Sequence, residues 1–160
     1  MPKTIDEELK QTRPIRSPQE QAVLGLMCTS RAIEDSWLSY LKHTEGISIS
    51  QYNILRILRG ARPKAIKSSE IADRMIYRDP DVTRLVDRLV THGLVRRERD
   101  DEDRRVVRVG ITAKGLALLD RLDGPVDRYT RAVMGGLTQH QMRDLCLLLD
   151  EVRAGIQPFP

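Results

Sequence analysis

Apolar residues recur at helical spacing along most of the chain, and each run begins with a capping signal. Ser17-Pro18-Gln19-Glu20 combines an N-cap serine, a proline at the first helical position and a glutamate three residues on, which predicts a helix start. Apolar side chains follow at helical intervals over residues 23–41, and Gly46 supplies a stop. Ser48-Ile49-Ser50-Gln51 repeats the capping pattern and predicts a second helix that runs to Gly60.

Two shorter helices, joined by a tight turn, are predicted in the middle of the chain. A basic connector over residues 61–67 precedes the first of them, which opens at Ser68 or Ser69. The second runs from about residue 81 to residue 92, with Asp79 as the expected cap. Its apolar stripe turns the polar side chains outward, at positions Thr83, Arg84, Asp87 and Arg88.

A two-stranded hairpin is predicted next. Gly93 has the residue type expected for the left-handed end of the preceding helix. Residues 94–99 and 106–111 show strand signals, and apolar residues alternate in the second strand. The charged loop between them, residues 100–105, therefore becomes the tip of a wing.

Two further helices are predicted in the last third of the chain. Thr112 caps the first, Gly135-Gly136 ends it, and Thr138 opens the second with another capping box. The terminal helices carry more apolar surface than a lobe of this size can cover. The whole pattern predicts a mainly α fold of the α+β class, with a winged helix-turn-helix lobe, a two-stranded wing and terminal helices available for dimerisation.

Charge separates the middle of the chain from its ends. The 160 residues carry a formal net charge of +4, with 31% charged and 40% hydrophobic residues. Residues 56–99 contain twelve Lys and Arg against six Asp and Glu, a local excess of +6 that leaves −2 for the rest. A basic central segment of this kind is typical of a lobe that binds a polyanion such as DNA.

Several function classes are disfavoured. No run of about 18 apolar residues is present and the first eleven residues are mostly polar, so we expect no membrane span, no signal peptide and a cytoplasmic, nucleoid-associated location. His43, His92 and His140 have no partner at catalytic or metal-ligand spacing. We therefore expect neither an enzyme nor a cofactor or metal site.

The two cysteines leave a thiol-redox response open as an alternative mode of regulation. Cys28 and Cys146 are 118 positions apart, which fits a reducing compartment better than a disulfide framework. Across a dimer they would be able to approach each other, although apolar neighbours in the sequence disfavour a reactive thiolate. A winged-helix protein-interaction module without DNA binding is a further alternative, and it predicts no steep salt dependence of duplex binding.

The order of four motifs resembles the MarR family of bacterial and archaeal transcription regulators. The resemblance covers roughly residues 20–153 and rests on Ser69-Glu70-Ile71-Ala72, on residues 82–97, on Asp103-Arg104-Arg105 and on Ile111-Thr112-Ala113-Lys114-Gly115. One departure is a longer connector at residues 61–66, followed by Lys67 where many members have a capping threonine.

The resemblance implies a homodimeric repressor that binds double-stranded DNA at a pseudopalindromic operator and is released by a small effector. A polar arm, residues 1–16, would precede a single MarR-like domain over residues 17–160. Within that domain, residues 48–112 would form the DNA-binding lobe. The implied dimerisation helices are residues 17–47 and 113–156, with Leu26, Met142, Leu145 and Leu149 as candidate contacts.

The fourth helix carries the first candidates for contact with DNA. Arg84 is the leading candidate for reading bases, because arginine pairs bidentately with guanine in the major groove. Arg78, Arg88 and Lys67 are better placed for phosphates. The complete predicted DNA-binding set is Lys67, Ser69, Arg78, Asp81, Thr83, Arg84, Arg88, Asp103, Arg104 and Arg105.

The wing is expected to act through Arg105. The resemblance assigns this residue to the minor groove, where negative potential is concentrated, with Asp103 orienting its guanidinium. The four acids at residues 100–103 oppose the approach of DNA unless they pair with Arg99, Arg104 or Arg105. We therefore expect the loop to fold as a clamp.

A small effector, phenolic or carboxylate, is the expected second ligand. Aromatic walls with one cation suit such a molecule, and the candidates are Trp37, Tyr40, Tyr52 and Arg56. Trp37 also lies on the apolar stripe of its helix, so a core role is the alternative for this residue.

Overall fold

Helices dominate the computed structural model, which describes residues 4–10, 12–13, 15, 17–77, 79–100 and 103–157. In chain order the helices are α1 (Ile5–Glu8), α2 (Pro18–Thr44), α3 (Ile49–Ala61), α4 (Ser68–Arg74), α5 (Val82–Thr91), α6 (Ala113–Met134) and α7 (Gln139–Gly155). One antiparallel sheet contains β1 (Ile66–Lys67), β2 (Val95–Arg99) and β3 (Val107–Ile111). The predicted mainly helical fold with a small wing sheet is confirmed.

Side-chain caps begin α2, α3 and α7 at the predicted positions. Ser48 Oγ accepts from the Gln51 N–H at 3.1 Å, and Gln51 Oε1 accepts from the Ser48 N–H at 2.9 Å. Thr138 and Gln141 repeat this box at 3.3 and 2.9 Å. Ser17 Oγ accepts from the backbone three residues on at 3.0 Å. These bonds satisfy amides that have no partner inside the helix, so the local sequence fixes the helix starts.

The sheet has one strand more than predicted. β1 pairs with β3, with Ile66 opposite Val109, and β3 also pairs with β2, giving the order β1-β3-β2. The prediction of a connector throughout residues 61–67 is therefore wrong at its end. Two residues are too short to show the alternation that marks a strand, and only the distant partner β3 reveals it.

Two segments begin differently from the predictions. Residues 1–16 are predicted as a polar arm, yet Thr4 and Glu7 form a capping box, with bonds of 3.4 and 2.8 Å, that opens the one-turn helix α1. The cap of α5 is Asp81, whose Oδ1 accepts from the helix backbone at 3.1 Å. Asp79 instead accepts from the Asp81 N–H at 2.9 Å, so it shapes the turn before the helix rather than capping it.

The chain divides into two compact units, Met1–Leu116 and Ala117–Pro160. The first contains α1 to α5 and the sheet, and its fully buried side chains include Leu41, Ile54, Leu55, Leu58, Ile71, Val86, Leu89 and Val109. In the second, Leu118, Leu119 and Leu122 are buried. Among the described residues, no helix has both the length and the apolar character that a bilayer span requires. The functional division at residues 47/48 and 112/113 stays a prediction.

Gly115 is a position where the backbones approach too closely for a side chain. A Cβ at this residue would lie 2.3 Å from Leu94 O and 2.8 Å from Ile111 Cγ1. We expect Gly115→Ala to lower the free energy of unfolding by about 1–3 kcal/mol, the usual cost of overpacking a rigid contact. Denaturant unfolding at a fixed protein concentration measures this change.

Gly60 offers the matched control. It lies in α3, and a Cβ added there would meet no heavy atom within 4 Å, so Gly60→Ala should be neutral or stabilise the protein by up to about 1 kcal/mol. Equal stability of the Gly115→Ala protein and its parent would contradict the close-packing argument.

Candidate nucleic-acid interface

Helix α5 presents a polar face to solvent. Val82, Val86 and Leu89 are buried on its inner side, and Asp81 caps its first turn. The outward positions, all exposed as predicted, are Thr83, Arg84, Asp87 and Arg88. A capped helix start beside exposed Thr and Arg side chains has the form of a recognition helix, because amides and side chains there can face a groove together.

The far end of α5 is held by residues of the 111–115 motif. Gly93 adopts a φ of +69°, the left-handed conformation that ends the helix. Lys114 Nζ donates to His92 O at 2.8 Å, and Thr112 Oγ1 donates to Gly93 O at 2.8 Å. A lysine at a helix C-terminus also complements its partial negative charge. The motif thus anchors the end of α5 in addition to starting α6.

An ion pair joins α5 to the sheet. Arg97 on β2 lies 2.8 Å from Asp87 on α5, between the guanidinium Nη2 and carboxylate Oδ1. Both side chains are partly exposed, so the pair adds little to stability but restricts how the helix can turn relative to the wing. Sequence reasoning did not identify Arg97, because this contact depends on how β2 lies beside α5.

The wing tip is organised by Asp100. Its carboxylate pairs with Arg108 on β3 and accepts from the Asp103 N–H at 3.1 Å. Arg108 is not among the predicted partners of the loop acids, which are Arg99, Arg104 and Arg105. Asp100 N–H donates to Val106 O at 2.9 Å, which makes Arg108 the diagonal cross-strand neighbour. A prediction of the register between β2 and β3 would therefore have identified the pair of Asp100 and Arg108.

Asp103 contacts the main chain of the wing arginine. Its Oδ1 accepts from the Arg105 N–H at 2.9 Å, whereas the prediction has it orienting the guanidinium. Bonds from backbone N–H groups to the Asp100 and Asp103 carboxylates organise the described part of the tip, and the clamp stays a prediction. Arg104 and Arg105 are exposed beside it. Residues 101–102, the remaining acids of the loop, lie outside the described residues.

The other predicted DNA contacts lie around α4 and the turn after it. Lys67 occupies the N-cap position of α4 and is exposed, and its N–H donates to Glu70 Oε1 at 3.3 Å. An ammonium group can donate hydrogen bonds but cannot accept them, so the Lys67 side chain cannot cap α4 as a hydroxyl would. Its positive charge is exposed and could instead bind a phosphate. Ser69 is exposed in the first turn. Arg78 lies outside the described residues.

The turn between α4 and α5 is tied to two earlier helices. Asn53 on α3 is buried, and its Oδ1 accepts from the Ile76 N–H at 2.9 Å. Partial burial, together with a hydrogen bond to Glu34 and the negative charge of that residue, raises the pKa of Tyr77 to about 12. The cause of this shift places the Tyr77 hydroxyl beside the Glu34 carboxylate of α2. Sequence reasoning missed these contacts because they join residues more than twenty positions apart.

The four predicted effector residues come together on α2 and α3. The Trp37 and Tyr40 rings are stacked with centroids 5.2 Å apart, and Tyr52 meets Trp37 edge-on at 5.7 Å. Arg56 Cζ lies 5.9 Å from the Tyr52 ring centroid. We call these four side chains the aromatic cluster. Trp37 is half-buried and Tyr52 is buried, so the cluster also contributes to packing.

The predicted dimer contacts lie on α2 and α7. Leu26 on α2 is exposed, and Met142, Leu145 and Leu149 on α7 are half-buried. More strongly exposed apolar side chains accompany them, namely Leu147, Leu148 and Val152 on α7 and Ile156 at its C-cap. Of the two free thiols, Cys28 is half-buried and Cys146 is exposed. Exposure of Cys146 differs from the apolar environment that its sequence neighbours suggest, and the redox alternative stays a prediction.

Comparisons with known proteins agree on the family. The MarR family model matches residues 47–107. The crystal structure of a MarR transcription factor from Planctomyces limnophilus is 39% identical, covers 86% of this chain and 98% of its own, and has a TM-score of 0.61. The HTH-type transcriptional regulator PrsX of Escherichia coli is 27% identical over 126 residues, 78% of this chain and 75% of PrsX.

A DNA complex is among the structures of similar fold. A MarR family transcriptional regulator from Streptomyces coelicolor, solved in complex with DNA, has a TM-score of 0.76 at 24% identity and covers 92% of this chain and 94% of its own. The family match falls on the lobe that contains α4, α5 and the wing, and the 39% identical structure extends it over most of the chain. The chain therefore belongs to the MarR family of transcriptional regulators.

Proposed function

We propose that the protein is a homodimeric repressor that binds a pseudopalindromic operator and releases it when a small aromatic or anionic effector binds. In this proposal α5 enters the major groove with Arg84 on base edges, while Arg105 of the wing enters the minor groove. The observation that carries the proposal is the exposed polar face of α5, capped at its start by Asp81 and held at its end by Lys114.

The fixed ends of α5 support a role for this helix in the recognition of DNA bases. A helix that recognises bases must keep its orientation, because specific hydrogen bonds tolerate only small displacements. The ion pair between Asp87 and Arg97 and the folded wing tip around Asp100 restrict the two groove-binding elements within one compact unit. The remaining proposed contacts, Lys67, Ser69, Arg78 and Arg88, would then supply phosphate bonds that set position along the duplex.

Exposed apolar residues support the homodimer. Leu147 and Leu148 on α7 are 62% and 58% exposed in the single chain, and Ile156 at its C-cap is 70% exposed. Apolar patches of this kind favour burial against a partner, and a two-fold partner presents the same patch. Two recognition helices related by a two-fold axis would read half-sites about 34 Å apart, one turn of the duplex. A dimer bound at a promoter blocks access of the transcription machinery, which is the basis for proposing repression.

The aromatic cluster supports the class of effector. Flat rings from α2 and α3, with the Arg56 cation beside Tyr52, suit an aromatic carboxylate or a phenol. Binding there would change the packing of α2 on α3, two helices that belong to the same compact unit as α5.

Capture of genomic fragments by the purified full-length protein tests the proposal. We expect a small set of enriched fragments with inverted repeats, bound by two subunits, and transcription of a linked reporter that rises when the protein is deleted. Affinity for a captured fragment should fall linearly on logarithmic axes as salt increases, with a slope of about −0.9 per phosphate neutralised. Absence of enrichment, or binding indifferent to salt, would favour the protein-interaction alternative instead.

A further inference from the structure

Two polar bonds fix the turn that leads towards the recognition helix. Ile76 donates its N–H to Asn53 of α3 at 2.9 Å, and a hydrogen bond with Glu34 of α2 contributes, after burial, to the raised pKa of the Tyr77 hydroxyl. The Ile76 side chain is 74% exposed, so it does not anchor the turn by apolar burial. The position of residues 76–77 therefore depends on acceptors that α2 and α3 supply.

Both acceptors lie beside the aromatic cluster. Glu34 precedes Trp37 by one helical turn on α2, and Asn53 directly follows Tyr52 on α3. The rings of Trp37 and Tyr52 meet at 5.7 Å, so this contact sets the separation of the two helices at that level. Since a helix moves as a rigid element over one turn, a change at the cluster also moves Glu34 and Asn53.

We propose that Glu34 and Asn53 are positioning residues that couple the aromatic cluster to the recognition helix through the turn at residues 76–77. The inference rests on the proposed function, because it explains how helices outside the DNA contact would set operator affinity. Neither residue belongs to the proposed set of DNA contacts. Ser30 also donates to Glu34, at 3.0 Å, which orients the carboxylate towards its partners.

Coupling between two sites is reciprocal. If the state of the cluster changes operator affinity, then operator binding must change the environment of the cluster by the same coupling free energy. Trp37 is the only tryptophan in the chain, so its fluorescence reports on the cluster alone. This reporter makes the proposal testable before any effector is identified.

The experiment compares full-length variants on a captured genomic fragment and on unrelated DNA. For the parent we expect Trp37 emission to change when the captured fragment binds. Tyr77→Phe should lose most of this change and bind the fragment about 5- to 20-fold more weakly, within the usual range of coupling between sites. Binding to unrelated DNA and its salt dependence should remain within about twofold of the parent, because the phosphate contacts are unaltered.

Two further variants separate coupling from loss of structure. Glu34→Gln retains an oxygen that accepts from Tyr77 and should behave close to the parent, whereas Glu34→Ala removes the acceptor and should reproduce the loss expected for Tyr77→Phe. Should Tyr77→Phe fail to fold, Asn53→Asp, which keeps the acceptor for Ile76, and Asn53→Leu, which removes it, provide the same comparison.

Each alternative outcome is distinct. Parent-like affinity and emission change in Tyr77→Phe, or no Trp37 response in a parent that binds the fragment, would overturn the coupling and leave the proposed function standing. Equal loss of binding to captured and unrelated DNA, with a lower unfolding temperature, would reduce the turn contacts to a structural role and overturn the coupling as well. A parent that binds no genomic fragment would overturn the proposed function, and the coupling with it.

Discussion

Leu148→Lys is expected to dissociate the proposed homodimer and to lower operator affinity by a factor on the order of 10²–10⁴, the gain that linking two binding modules provides. Leu148 is 58% exposed on α7, and Leu145 and Val152 lie on the same side of the helix at spacings of three and four. A lysine there would bring an unpaired charge into an apolar interface, which costs several kcal/mol. Sedimentation at dilute concentrations and titration of the captured fragment measure the two effects.

The choice of lysine and the control variant make the Leu148→Lys test specific. Lysine adds a positive charge, so weaker binding cannot arise from repulsion between the variant and DNA. Asp150→Lys introduces the same residue on the opposite side of α7, where it breaks only the exposed ion pair with Arg153. We expect that variant to remain dimeric. A Leu148→Lys protein that sediments as a dimer and binds like the parent would place the interface elsewhere.

Local signals explain why the helices could be predicted. A capping box involves residues three apart, so Ser48 with Gln51 and Thr138 with Gln141 identify helix starts without knowledge of the fold. The same holds for Gly93, whose left-handed φ ends α5. The pattern of apolar and polar positions then predicts the exposed face of α5, because the residues opposite the apolar stripe of a helix face solvent.

Contacts between distant residues explain what could not be predicted. Strand β1 exists only because Ile66 meets Val109, 43 positions further on, and a two-residue strand has no periodicity of its own. Asp79 and Asp81 are both candidates for the N-cap of α5. In the structure Asp81 accepts the bond from the helix backbone, and Asp79 accepts from the Asp81 N–H in the preceding turn. Pattern alone does not distinguish two acids two residues apart.

The candidate site shows the same limit in its supporting contacts. Exposed arginines on α5 and the wing follow from sequence, but the groups that hold those elements do not. The sequence suggests Arg99, Arg104 or Arg105 as partners for the acids of the wing tip, whereas Asp100 pairs across the hairpin with Arg108. Lys114, which the sequence identifies only as part of a motif, anchors the end of α5 through His92 O. Sequence predicts which charged groups of α5 and the wing are exposed better than it predicts the groups that position them.

Arg84→Ala and Arg105→Ala should weaken DNA binding in different ways. Arg84 is exposed on α5, and loss of a bidentate pair with guanine should remove about 1–3 kcal/mol of discrimination at one base pair of each half-site. Arg105 is exposed on a wing tip folded by Asp103, and its loss should weaken binding across many sequences and reduce the salt slope by about one per subunit. Affinities for operators with single-base changes, measured at several salt concentrations, separate the two patterns.

Arg143→Ala is the matched control, because it removes one exposed arginine from α7, outside the proposed DNA contact. It should alter neither base preference nor the salt slope. If Arg84→Ala kept the base preference of the parent at every operator position, base reading by this residue would be wrong, and α5 would then serve to position the dimer on phosphates. If Arg105→Ala changed preference at a single base pair while leaving the salt slope intact, the wing would read sequence directly, because a lost phosphate or groove charge acts on all sequences alike.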